Sequence, residues 1–135
     1  MTQILSFASL NLVDASETPF EFAYQDPNTL EDTVLKVQVI GANAKKIEDL
    51  VKSNYDAKNR ADDLQKRKGK SLESEPVDKV IEFGNKVAAA RVVGWSGLDI
   101  EFSPEKALEL VKINPAFKEQ VLKHSDNIAN FTPKA

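Results

Sequence analysis

Cysteine is absent from the chain. That excludes disulfides, thiolate nucleophiles and cysteine-ligated metals, and it fits a cytosolic protein. Histidine occurs once, at position 124. A lone imidazole does not make a zinc site, and no loop has EF-hand spacing. The five glycines form no phosphate-binding loop. The "GKS" at 69–71 ends like a Walker motif, but it lacks the upstream glycine and a preceding strand. No apolar run approaches the ~20 residues needed to cross a bilayer. The N-terminus "MTQILSFASLNLVDASE" has neither the basic segment nor the uninterrupted apolar core of a signal peptide. Charge of one sign is also scarce: 29% of residues are charged, yet the net charge is only −3. A nucleic-acid binder usually shows a strongly basic face, and this chain has none. The expectation is a soluble intracellular protein with no cofactor, no membrane and no nucleic acid.

With 135 residues, 41% of them hydrophobic, the chain fits one domain with one modest core. "FEFAY" (20–24) alternates Phe20, Phe22 and Tyr24 with Glu21 and Ala23. "VLKVQVI" (34–40) alternates Leu35, Val37 and Val39 with Lys36 and Gln38. Period-two patterning of β-branched and aromatic residues predicts strands. Asp26, Pro27 and Asn28 between them carry turn chemistry. Residues 1–40 therefore read as a β-hairpin region with one apolar face. Residues 1–19 are a short strand or helix laid across that face.

From residue 41 the period changes, and 41–135 read as a helical region. Gly41 ends the strand and Asn43 is a good N-cap. Ile47, Leu50, Asn54, Ala57, Ala61 and Leu64 then follow at alternating spacings of three and four. This is a thin heptad stripe on a helix running to Lys68, roughly 37 Å long, with Gly69 as its C′ residue. Two readings fit so narrow a stripe: a helix laid on its own domain, or one that partly projects and meets another chain. The basic "QKRKGK" (65–70) complements the helix dipole at its last turn. After the polar connector "GKSLESEP", Ser74 and Pro76 begin a second helix. Val77, Val80, Ile81, Gly84, Val87, Ala88 and Arg91 share one of its faces. Gly84 on that face suggests close approach of another element.

"VVGWSGLDIEF" (92–102) interrupts the helical pattern and holds the chain's one tryptophan. Gly94 and Gly97 permit a tight turn or a positive φ. Trp95, Leu98, Ile100 and Phe102 read as a packed corner, with Trp95 the plug that fixes the angle between two helices. Ser103 and Pro104 then start one short helix, and Asn114 and Pro115 start another. Ala107, Leu108 and Val111 give the first its apolar face, and Phe117, Val121, Leu122, Ile128 and Phe131 serve the second. Residues 132–135 are too short and polar to pack and read as a disordered tail. The fold class is α+β: an N-terminal hairpin, a long helix, a second helix and two short C-terminal helices. His124 reads as a surface or interface residue, because no serine sits on a strained elbow beside it.

"VVGWSGL…IEFSPEKALELVKINPAFKEQVLKHSDNIANF" closely resembles the C-terminal half of tail assembly chaperones of long-tailed bacteriophages. The matching phrases are Val92–Gly97, Phe102–Ala107, Pro115–Val121 and Asn130–Phe131. Lys106 stands where the family commonly has Asn. "VDASETPFEF", the "DP" turn and "LKVQVIGANAKKI" agree more loosely with the family's hairpin and long helix. The resemblance implies a non-enzymatic chaperone that binds the tape measure protein and keeps it soluble. It also implies that the chain helps recruit tail tube subunits in the host bacterial cytoplasm and is absent from the mature virion. A structural tail or head–tail joining protein retained in the virion is the alternative. A small hydrolase using His124 is a third. Self-association through residues 44–68 is expected. Many genes of the family also yield a longer, frameshifted product, and Thr132, Pro133 and Lys134 permit the codon run CCCAAAG. Such a product would contact the tail tube protein.

Overall fold

The computed structural model describes residue 4, residues 7–67 and residues 77–132. A 3-10 turn (Phe7–Leu10) and a single-turn helix α1 (Leu12–Ala15) lead into strands β1 (Phe20–Gln25) and β2 (Asp32–Val39). The long helix α2 (Lys45–Arg67) and α3 (Val77–Arg91) follow, then strand β3 (Val92–Ser96). Helices α4 (Pro104–Ile113) and α5 (Pro115–Asp126) and a 3-10 turn (Ile128–Phe131) complete the described chain. The fold is α+β.

The three strands form one antiparallel sheet in the order β1-β2-β3. Phe22 lies opposite Val37, which lies opposite Trp95; Phe20 lies opposite Val39, which lies opposite Val92. Cross-strand partners share a face, so these residues define the apolar side of the sheet. That side carries the core, with Ala88 and Ala89 of α3, Ala107 and Val111 of α4, and Phe117 and Val121 of α5 packed on it. The other side, with Glu21, Lys36, Gln38 and Ser96, is exposed, as an antiparallel sheet allows. At the free edge of β1, the Gln120 side chain imitates a neighbouring strand. Its Oε1 accepts the Gln25 N–H at 2.8 Å and its Nε2 donates to the Gln25 carbonyl at 2.9 Å.

Four elements meet at the end of β2. The Ile40 N–H donates to the Arg91 carbonyl at 2.8 Å. The buried Ser125 hydroxyl donates to the Ile40 carbonyl at 2.7 Å. One residue on, the Gly41 N–H donates to the Ser16 carbonyl at 2.9 Å. A Cβ on Gly41 would lie 2.7 Å from the Ser16 Cβ, so the two backbones approach only because residue 41 is glycine. The Ala42 N–H donates to the Ser125 carbonyl at 3.2 Å. Beside this junction Arg91 forms an ion pair with Asp126.

Several expectations change. The third strand, Val92–Ser96, stands where a corner was expected. Val93 is an extra residue in β3, since Val39 pairs with Val92 while Gln38 pairs with Gly94. That bulge breaks the period-two alternation by which strands are read. Asn43 is not the N-cap of α2, which starts two residues later; the Glu17 carboxylate accepts the Lys45 N–H at 2.7 Å instead. Residues 7–16 do not cover the sheet's apolar face, which α3, α4 and α5 fill. Gly84 meets no close neighbour among the described residues: a Cβ there would lie 3.7 Å from the Lys118 Nζ. Thr132 is not part of a free tail, because its hydroxyl and N–H cap the last 3-10 turn through the carbonyls of Ile128 and Ala129. Gly69, Ser74, Pro76, residues 68–70 of the basic run and residues 133–135 lie outside the described residues, and the codon run is decided by the gene.

Two stability outcomes follow from this geometry. Ser125→Ala removes the buried donor from the Ile40 carbonyl and is expected to cost about 1–3 kcal/mol in urea denaturation. Gly84→Ala is expected to gain about 1 kcal/mol in the same measurement, because helix propensity improves and the added methyl has room.

Candidate partner-binding surfaces

Helix α2 packs on its surroundings at one end. Ile47 is buried with Ile40 and Ala44 in a second small cluster, against Val87, Ala90 and Val93. The first turns of α2 therefore sit on the last turns of α3. Along the stripe, Leu50 and Asn54 are half-buried and Ala57 is exposed. The Ala61 side chain is outside the described set, and Leu64 is 53% exposed. Val51 and Tyr55 also face solvent. Helix α3 shows the matching gradient: Ala88 and Ala89 are buried, whereas Val77, Val80 and Ile81 are exposed. The stripe thus divides into an internal start and a solvent-facing remainder. Exposed apolar side chains clustered on neighbouring elements mark interaction surfaces more often than scattered ones do.

A second surface surrounds Trp95. Its place on β3 sets it opposite Val37, and the partly buried indole packs against the core. The indole N–H donates to the Ile100 carbonyl at 2.8 Å. Phe102 meets the ring edge-on at 5.2 Å, a favoured aromatic geometry. Gly97 makes the turn between them at φ +84°. A Cβ there would lie 2.1 Å from the Val34 carbonyl oxygen, which no side chain tolerates. Gly94 is less strict, since a Cβ would meet the movable end of Gln38. Ser103 caps α4 by accepting the Lys106 N–H at 3.1 Å, with Pro104 in the first turn. Asn114 caps α5 ahead of Pro115, accepting the Phe117 N–H at 3.1 Å, and its amide donates to the Tyr24 hydroxyl at 3.1 Å. Trp95 is therefore not a plug between two helices. It is half-buried and forms one wall of an open cleft whose other lining residues are Leu98, Ile100, Lys106, Glu109, Leu110 and Ile113.

His124 stacks on Phe22 at 4.2 Å and on Phe20 at 6.0 Å. Sequence patterning gave no sign of this contact, because it joins α5 to a strand a hundred residues earlier. The neighbouring Ser125 and Asp126 are engaged by Ile40 and Arg91. Among the described residues, no cluster of His, Asp and Glu is placed to hold a metal. Likewise, no helix among them is long and apolar enough to cross a membrane.

Burial lowers the His124 pKa below 6.5, and the adjacent Lys123 charge adds to this. The unfolded chain therefore takes up the proton first. Stability is full above about pH 6.5 and declines as pH falls through the folded-state value. Urea midpoints measured at neutral and mildly acidic pH are expected to drop for the wild type and to drop less for His124→Gln.

No protein-family model matches the chain, and no curated protein or solved structure does so at a significant level.

Proposed function

We propose that this chain is a tail assembly chaperone of a long-tailed bacteriophage. In this reading it acts without catalysis or cofactor in the host cytoplasm. It binds the tape measure protein, keeps that protein's apolar helical surface soluble, helps recruit tail tube subunits, and leaves before the virion is finished. The observation that carries the reading is the order and spacing of the phrases at Val92–Gly97, Phe102–Ala107, Pro115–Val121 and Asn130–Phe131. The exposed apolar side chains on α2 and α3 support it, because a helix pair of this kind can cover a partner helix by groove packing. The same stripe suits self-association, with Asn54 selecting one register. A frameshifted longer product would carry the contact to tube subunits.

Co-expression with a tape measure protein of the same phage tests the reading. The tape measure protein is expected to stay in the supernatant with the wild-type chain and to pellet without it. Leu64→Glu/Val80→Glu/Ile81→Glu alters only exposed positions; it is expected to fold and to lose the solubilising effect. Stoichiometric recovery of the chain in purified virions would instead make it a structural component.

A further inference from the structure

The cleft beside Trp95 has properties of its own. Its volume is about 90 Å³. Small-molecule sites run to roughly 300–1,000 Å³, so the cleft suits one aliphatic side chain and not a metabolite. Its lining is apolar apart from Lys106 and Glu109, and these two bind each other at 3.2 Å. The polar side chains of the lining are thus paired, and the indole N–H is taken by the Ile100 carbonyl. The apolar shelf continues outward: Ile113 is 72% exposed, Ile100 44% and Leu98 38%.

The walls are already set. The indole is held by the Ile100 carbonyl and by Phe102, and the turn at Gly97 admits no other residue. A preformed cleft spares a partner the cost of ordering it. The α4 residues in the lining are 106, 109, 110 and 113. They are spaced i, i+3, i+4, i+7, one continuous helical face. Such a face accepts a second helix packed alongside it.

Charge narrows the occupant. Around the cleft, residues 98–113 carry Asp99, Glu101, Glu105 and Glu109 against Lys106 and Lys112. Asp99, Glu101 and Glu105 are exposed. A segment with this acidic excess beside an apolar cleft favours a partner with cations beside its anchor. The chain's own N-terminal apolar side chains, Phe7, Leu10 and Val13, are exposed too. They are a poor match, because residues 1–17 contain Asp14 and Glu17 but no lysine or arginine.

We infer that the Trp95 cleft is a docking site for a cationic amphipathic helix of a protein partner, which inserts one aliphatic side chain between Trp95 and α4. Nothing in this depends on the tail-assembly reading, and the site is separate from the α2–α3 surface.

Trp95 is the only tryptophan, so its emission reports occupancy directly. The full-length protein is titrated with a tryptophan-free amphipathic helical peptide of leucine and lysine. Two controls are a leucine–glutamate peptide of the same pattern and a lysine–glutamine peptide without apolar residues. The expected result is a saturable blue shift with the leucine–lysine peptide alone, weakened by added salt. Ile100→Ser/Ile113→Ser changes exposed positions, and circular dichroism checks its fold. It is expected to bind about tenfold more weakly, equivalent to about 1.4 kcal/mol. Asp99→Lys/Glu101→Lys is expected to transfer the preference to the leucine–glutamate peptide. The site is overturned by the absence of a saturable shift, by equal response to all peptides, or by undiminished binding in the serine variant. A shift on raising the protein concentration alone would assign the cleft to a second copy of the chain and overturn the proposed occupant.

Discussion

Ile40 lends its backbone to two helices at once. Its N–H is taken by the end of α3 and its carbonyl by a buried hydroxyl near the end of α5. A strand end carries polar groups that must find partners wherever water is excluded. Here they are satisfied by elements far away in sequence, and those elements are thereby fixed to the sheet. Gly41 extends the same junction to Ser16. Because α3 is fixed at its last residue and α2 begins just beyond β2, the two helices are joined near the junction and carry most of their length away from it.

That arrangement decides which apolar surface is free. Helices α3, α4 and α5 fill one side of the sheet with Phe117, Val111 and Val121. Near the junction α2 and α3 bury Ile47 against Val87. Farther out, nothing described covers Val77, Val80, Ile81 or Leu64. The Trp95 cleft has a different origin. It opens where an edge strand ends and α4 begins, and it leaves the indole only partly buried. One surface is the solvent-facing part of α2 with the first turns of α3, and the other a compact notch with walls set by hydrogen bonding and a glycine turn.

Much of this was legible in the sequence, for reasons that differ by element. The hairpin was readable because Phe20, Phe22 and Tyr24, and Leu35, Val37 and Val39, alternate without interruption. Ser103-Pro104 and Asn114-Pro115 marked helix starts because capping is chemistry within four residues. The third strand was hidden by the bulge at Val93, which shifts the alternation. The Glu17 cap on α2 was hidden by distance, since local pattern favours the nearer Asn43. Periodicity also defines a helical face without saying what lies against it. That is why the stripe from Ile47 to Leu64 could not be divided into covered and uncovered parts, and why Gly84 suggested a close neighbour that the described residues do not supply. For Trp95, flanking glycines announced a special turn, but half-burial depends on what stands across the cleft.

The junction at Ile40 also sets an order of events in time. Its partners are Ser16, Arg91 and Ser125, contributed from near the start, the last third and near the end of the chain. The hairpin closes over a short loop and forms early, whereas contacts spanning most of the chain form slowly because a long loop must close first. During synthesis the apolar side of β1 and β2 waits for α4 and α5, which span residues 104–126. The core on the sheet is therefore completed only after Asp126 has emerged, and until then the nascent chain lacks the helices that cover that side.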